Sequence, residues 1–140
     1  MNLSKLTEKA QQAVISAYQL AEEREHAEIE VEHLLLALVD PSEGLGSDFW
    51  HRLGVDASLI QQRMVDELGR WPTTSNGEDS MLYLSPRLDR VFELAFREAK
   101  YLDEADIGAE HLFLAMADEH ADGAAGRALH LSGVTKARIY

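Results

Sequence analysis

A chain of 140 residues, 46% of them hydrophobic, fits one domain with a core of its own. Its 25 acids against 13 lysines and arginines leave a formal charge of −12, which repels nucleic acid and anionic membranes and favours basic or apolar polypeptides as partners. There is no cysteine, hence no disulfide framework or thiolate metal site. The N-terminus lacks an apolar run of signal type and no stretch nears the ~20 apolar residues of a membrane span, so a soluble cytoplasmic protein is expected.

From Thr7 to Arg24, Ala10, Ala13, Val14, Ala17, Tyr18 and Ala21 recur at intervals of three and four, the stripe of an amphipathic helix that Thr7 can cap. "VEHLLLALVD", from Val31, reads as a short and almost wholly apolar helix at the centre of the fold, ended by "DPSEGLGSD". A third helix is predicted over "SDFWHRL" and a fourth over "DASLIQQRMVDEL", with Asp56 as its cap. Gly69 to Ser80 is rich in turn formers and reads as an exposed linker. "SPRLDRVFELAFREAKYL" starts the next helix, with Ser85 as N-cap and Pro86 at the first helical position, which tolerates it. "AEHLFLAMAD" then repeats the buried helix, and nothing reads as a strand.

The last two segments are copies. At an offset of 78 positions, the distance from His33 to His111, Leu6 falls on Leu84, Thr7 on Ser85, Lys9 on Arg87, Ala17 on Ala95, Ala21 on Ala99 and Ile29 on Ile107. Further on the offset is 79, which places Gly44 on Gly123, Trp50 on Leu129, His51 on His130 and Gly54 on Gly133. The chain is an internal duplication, predicted all-α: repeat one over about 4–68, a linker over about 69–80 and repeat two over about 81–140. Tyr140 corresponds to Gln61, so the final helix of repeat two is expected to be cut short.

Six histidines and many acids invite a metal, but the pattern is weak. Glu30 to His33 spells E-x-x-H, a di-iron bundle motif, yet the twin stretch begins with Gly108 and has lost that carboxylate. His26, His51, His120 and His130 have no ligand-like spacing. No phosphate-binding glycine loop and no nucleophile elbow can be placed. The expectation is therefore no catalytic residue, no metal and no cofactor in this chain, with a metal-dependent enzyme as a minor alternative.

What remains are candidates for binding. Glu32 and Glu110 each stand in the first turn of a short helix, where the macrodipole favours a carboxylate. His33 and His111 beside them read as hydrogen-bonded packing residues. With the hydroxyls of Thr7 and Ser85, the two acids would form a pseudo-symmetric pair of polar pockets suited to cationic side chains. In the helix after Pro86, Leu88, Val91, Phe92, Ala95, Ala99 and Leu102 form one stripe, whereas Leu94 and Tyr101 lie roughly 120° to 140° away and mark an interface, either with the other repeat or with an apolar client.

The duplicated "EHL" helix, the "T-x-K-A" helix start and the "LGV" turn together give a chain that resembles, over essentially its whole length, the N-terminal domain of Clp ATPases. "MNLSKLTEKAQQAV" is most similar to the ClpB disaggregases, with ClpC-type unfoldases next. The resemblance implies two pseudo-twofold-related repeats of about four helices each. It also implies a non-catalytic module that captures unfolded or aggregated protein, or an adaptor, for the pore of a homohexamer whose ATP and magnesium sites lie in other modules. By position it implies Thr7, Glu110 and Glu104 as binding residues in the disaggregase type, and Glu32 and Glu110 as holders of phosphorylated arginine in the ClpC type. Where ClpC-like members have Gly-Thr before the "EH", this chain has Glu30-Val31 and Gly108-Ala109, and the acid at Glu30 opposes a phosphate. The domain by itself is expected as a monomer, and a free-standing helical regulator is the alternative from another class.

Overall fold

Each copy of the repeat begins with a hydroxyl that accepts a backbone hydrogen bond. Thr7 Oγ1 takes the Ala10 N–H at 3.2 Å and starts α1, Glu8–Glu23. Ser85 Oγ takes the Leu88 N–H at 3.1 Å and starts α5, Pro86–Tyr101, with proline where its missing N–H costs nothing. The remaining helices are α2 (Val31–Leu38), α3 (Ser47–Leu53), α4 (Ala57–Arg70), α6 (Ala109–Asp118) and α7 (Ala124–Leu131), preceded by a short 3-10 turn at Leu3–Lys5. The structure, a computed structural model, describes residues 3–41, 44–73, 82–118, 123–131 and 133. Most of the predicted linker and the stretch after 133 fall outside these residues, and with them the expectation of a shortened last helix.

The fold is all-α, and the duplication is visible in detail. α1 and α2 recur as α5 and α6, and α3 recurs as α7. Glu25 and Asp103, at the same point of each copy, both adopt a left-handed backbone, with φ 56° and 57°. Gly54 and Gly133 match in the same way, with φ 67° and 78°.

The copies exchange their ends. Leu6, ahead of α1, bridges to Ile107, ahead of α6, and Ile29, ahead of α2, bridges to Leu84, ahead of α5. The Thr7 N–H donates to the Ile107 carbonyl at 2.9 Å and the Ser85 N–H to the Ile29 carbonyl at 3.0 Å. Ile107 N–H answers to Lys5 O at 2.8 Å, and Ile29 N–H to Tyr83 O at 3.0 Å. Helical periodicity does not announce these two isolated bridges, because each uses a single extended residue. They make the contact between repeats isologous, with the same patch used from both sides.

α2 lies at the centre, packed on α1, α4, α5, α6 and α7, and all eight of its residues are buried. Burying each of Leu34, Leu35 and Leu38 contributes about 1.5–3 kcal/mol, which explains why so short a helix is stable. Phe113 on α6 meets Phe49 and Trp50 on α3 edge-on, at centroid distances of 5.4 and 4.9 Å, and so joins the second repeat to the first. In α5 the predicted stripe is buried except for Leu102, which is exposed. α4 runs two residues into the predicted linker, to Arg70. Trp71 is not exposed either: it packs on His26 and His33, and its indole N–H donates to Glu67 at 3.1 Å. No helix among the described residues is long and apolar enough to cross a membrane.

Candidate functional site

The duplicated Glu-His pair stands at the two exchanged ends, so each pair forms a corner with the opposite repeat. In both corners the histidine has one task. The Glu30 N–H donates to His33 Nδ1 at 2.9 Å, and the Gly108 N–H donates to His111 Nδ1 at 2.7 Å. A histidine three residues into the helix thus satisfies a backbone donor that the helix start leaves unpaired. Since Nδ1 accepts, the neutral ring carries its proton on Nε2 in both cases.

That Nε2–H meets different partners. His33 donates to His26 Nδ1 at 2.8 Å, and the Leu68 carbonyl accepts from His26 in turn. Burial, with help from His26 and Arg24, pushes His33 down to about 4. Burial and Arg24 lower His26 as well, against the pull of the Leu68 carbonyl. The counterpart of His26 is Glu104, whose Oε2 lies 3.4 Å from His111 Nε2. This pair does not align into a hydrogen bond, so the buried N–H of His111 finds no acceptor among the described residues.

The glutamates differ more. Glu32 is completely buried: its Oε1 accepts from Arg87 Nη1 and its Oε2 from Arg87 Nη2, both at 3.1 Å, and Oε2 also accepts the Ala125 N–H at 2.9 Å. To the favourable macrodipole of its helix start these contacts add full engagement of both carboxylate oxygens. Glu30 caps α2 by accepting from Val31 N–H, and its Oε2 further accepts from Ser85 Oγ at 2.8 Å and Arg87 Nη1 at 3.3 Å. The guanidinium lies over Gly123, where any Cβ would overlap it. Glu110, by contrast, has a side chain 54% exposed and folded back over Gly108, where a Cβ would collide with its carboxylate. Glu104 is 50% exposed, and neither acid has a lysine or arginine partner among the described residues. Lys9, the counterpart of Arg87, is exposed.

The predicted pair of pockets is therefore unequal. Glu104 and Glu110 come together at the open corner, which Thr7 borders through its bond to Ile107, while Ser85 and Glu32 belong to a closed one. Tyr101 is 81% exposed, and Leu94, two turns earlier on the same flank of α5, is partly buried against the core. An apolar groove of ≈ 510 Å³ runs along the opposite flank, lined by Phe92, Phe96 and Ile107 with Lys5, Asp89, Glu93 and Arg97 at its rim. Phe96 and Arg87 escape a reading of the sequence because one sits at the edge of a core stripe and the other beside a proline. The signal for Arg87 was its alignment with Lys9 across the duplication.

Glu104, Glu110 and His111 are also the described residues closest to a metal-ligand cluster, their ligand atoms within 4.8 Å of one another. The tautomer argues against that use. Nδ1 is engaged by Gly108 and Nε2 holds the proton, so ligation requires either an imidazolate or loss of the helix cap.

Residues 5–131 match the family described as the Clp repeat (R) N-terminal domain. A ClpB chaperone of Bacillus cereus is 33% identical over 124 residues, which is 87% of this chain and 14% of the relative. The ClpC/MecB negative regulator of genetic competence of Bacillus subtilis is 33% identical over 135 residues, 96% of this chain and 16% of the relative. The solved N-terminal domain of the ClpV1 ATPase from E. coli superimposes with a TM-score of 0.82 at 26% identity, over 98% of this chain and 82% of that one.

Proposed function

Because the chain belongs to the Clp repeat N-terminal domain family, we propose that it is the docking module of a Clp-type chaperone, taking unfolded or aggregated polypeptide, or an adaptor that carries it, through its open corner and the groove beside it. The chain spans about a seventh of the length of the relatives it matches. The ATP- and magnesium-dependent work of a hexameric machine belongs, in this reading, to modules outside it, and this domain makes contacts without breaking bonds.

One observation carries the reading: the closed corner holds an arginine between its acids, while the open corner presents Glu104 and Glu110 with no lysine or arginine between them among the described residues. A cationic side chain from outside supplies what Arg87 supplies within, and the charge of −12 draws basic segments toward it. Ile107 belongs both to the bridge at Thr7 and to the groove, so apolar neighbours of that cation have a place against Phe92 and Phe96. Affinities of about 10 µM to 1 mM suit a module that must release its clients, with avidity raised where several copies share one ring.

The test is an NMR titration of the labelled domain with reduced, carbamidomethylated lysozyme, an unfolded basic chain. Shifts are expected at Thr7, Phe96, Glu104 and Glu110 and should shrink as salt rises. Saturation at millimolar client without movement of these signals rejects the reading.

A further inference from the structure

The closed corner is closed by the protein itself. Arg87 reaches from the first turn of α5 to the first turn of α2 and presents two parallel N–H groups to the two oxygens of Glu32. With the Ala125 N–H, both oxygens of that buried carboxylate are engaged, and the arginine is seated against Gly123. In the open corner the same position in the chain is Lys9, whose single ammonium cannot grip a carboxylate in this two-pronged way. Repeat two thus has the acid without the arginine.

We infer that Arg87 is an internal ligand: it takes the place in repeat one that an incoming guanidinium takes in repeat two, so the domain binds one cationic side chain instead of two, and Arg87 decides which repeat does so. The inference rests on the docking reading for its second half, that the open corner takes a guanidinium. Its first half, that Arg87 blocks an otherwise competent site, stands separately.

The experiment titrates N-acetyl-arginine amide into the labelled wild type and into Arg87→Ala, following the amides of both corners. In the wild type, saturable shifts are expected at Thr7, Gly108 and Glu110, with Val31, Ser85 and Ala125 unmoved. In Arg87→Ala a second saturable set should appear at Val31, Ser85 and Ala125, and the stoichiometry should rise from one to two. Equal shifts at both corners of the wild type overturn the inference, as does an Arg87→Ala protein in which the first corner stays silent. A wild type silent at Gly108 and Glu110, with a first corner that responds once Arg87 is gone, removes the docking reading and leaves Arg87 as internal ligand. Should Arg87→Ala not fold alone, Arg87→Met, which keeps the aliphatic stem, is titrated in its place. Refolding of the alanine variant by the same amide, at concentrations that leave the wild-type melting point unchanged, then supports the inference, and failure to refold counts against it.

Discussion

Two corners with the same ancestry, the same Glu-His pair and the same histidine cap have diverged into opposite roles. In the first, Glu32 is buried under Arg87, and His33 passes its hydrogen bond to His26 beneath Trp71. In the second, Glu110 lies open over Gly108, and His111 faces Glu104 without bonding it. Three substitutions mark the difference, Lys9 against Arg87, Gly108 against Glu30 and Glu104 against His26, while Thr7 and Ser85 cap their helices alike. A duplicated motif therefore identifies a shared scaffold and leaves open which copy is available to a partner. That is decided by the residues around the pair, from its own repeat and from the other.

The largest way to separate the corners is to truncate each glutamate. Glu32→Ala leaves the Ala125 N–H without its acceptor and takes from Arg87 its two-pronged contact with a carboxylate. Breaking a buried, hydrogen-bonded pair costs about 3–5 kcal/mol, and the lower end applies because the Arg87 side chain is 35% exposed. Glu110→Ala should change stability by no more than about 0.5 kcal/mol, since it removes an exposed group with no lysine or arginine partner among the described residues. Urea unfolding of both variants measures the two values. Similar losses would mean that Glu110 is as structural as Glu32 and that the asymmetry is without consequence.

Acid should act on the first corner next. His33 has a folded value of about 4 against 6.5 in the unfolded chain, so between these values the unfolded state binds a proton that the native state refuses. Stability is then complete above pH ~6.5, falls as the pH drops toward 4, and loses about 3 kcal/mol from this group across that window. The lowered value of His26 adds in the same direction. The urea midpoint should decline steadily from pH 7 to pH 4.5. In His33→Gln, whose amide oxygen can still accept the Glu30 N–H, the decline should be much shallower. An unchanged slope in the variant would assign the acid sensitivity to other groups.

Much of this architecture was legible in the sequence, for physical reasons. Thr7, Ser85 and Asp56 are caps of a kind that helix starts require, and they cap as predicted. The apolar run from Val31 could only be a buried helix, and the register of the duplication carried each element to its copy. The site was less legible because its decisive contacts are far apart in the chain. Arg87 and Glu32 are separated by 55 positions and meet only through the exchange of ends at Ile29 and Leu84. The same holds for Trp71, which lies in a stretch of turn formers yet is held by its two histidine neighbours and by Glu67. Local pattern specifies which helices form, and the partner of a polar side chain is a property of how they dock.

A small expected effect on stability is the most telling for the open corner. Gly108 has an ordinary backbone angle, so its requirement for glycine is one of space: a Cβ there would occupy the volume in which the Glu110 carboxylate rests. In Gly108→Ala the long, flexible glutamate side chain can swing outward. The fold should lose only about 0.5–1 kcal/mol, the usual disadvantage of alanine at a helix cap, or about 3 °C in melting temperature. The displaced carboxylate, however, no longer sits beside Glu104, and client affinity should fall by about three- to tenfold, equivalent to roughly 0.7–1.4 kcal/mol. Calorimetric titration with the unfolded lysozyme chain, set beside a thermal melt, reads both quantities on one sample. Affinity that survives while the carboxylate moves would show that the corner attracts cations by charge alone. Affinity lost in proportion would show that the position of Glu110 over Gly108 makes this corner a site, as the position of Glu32 under Arg87 makes the other a clasp.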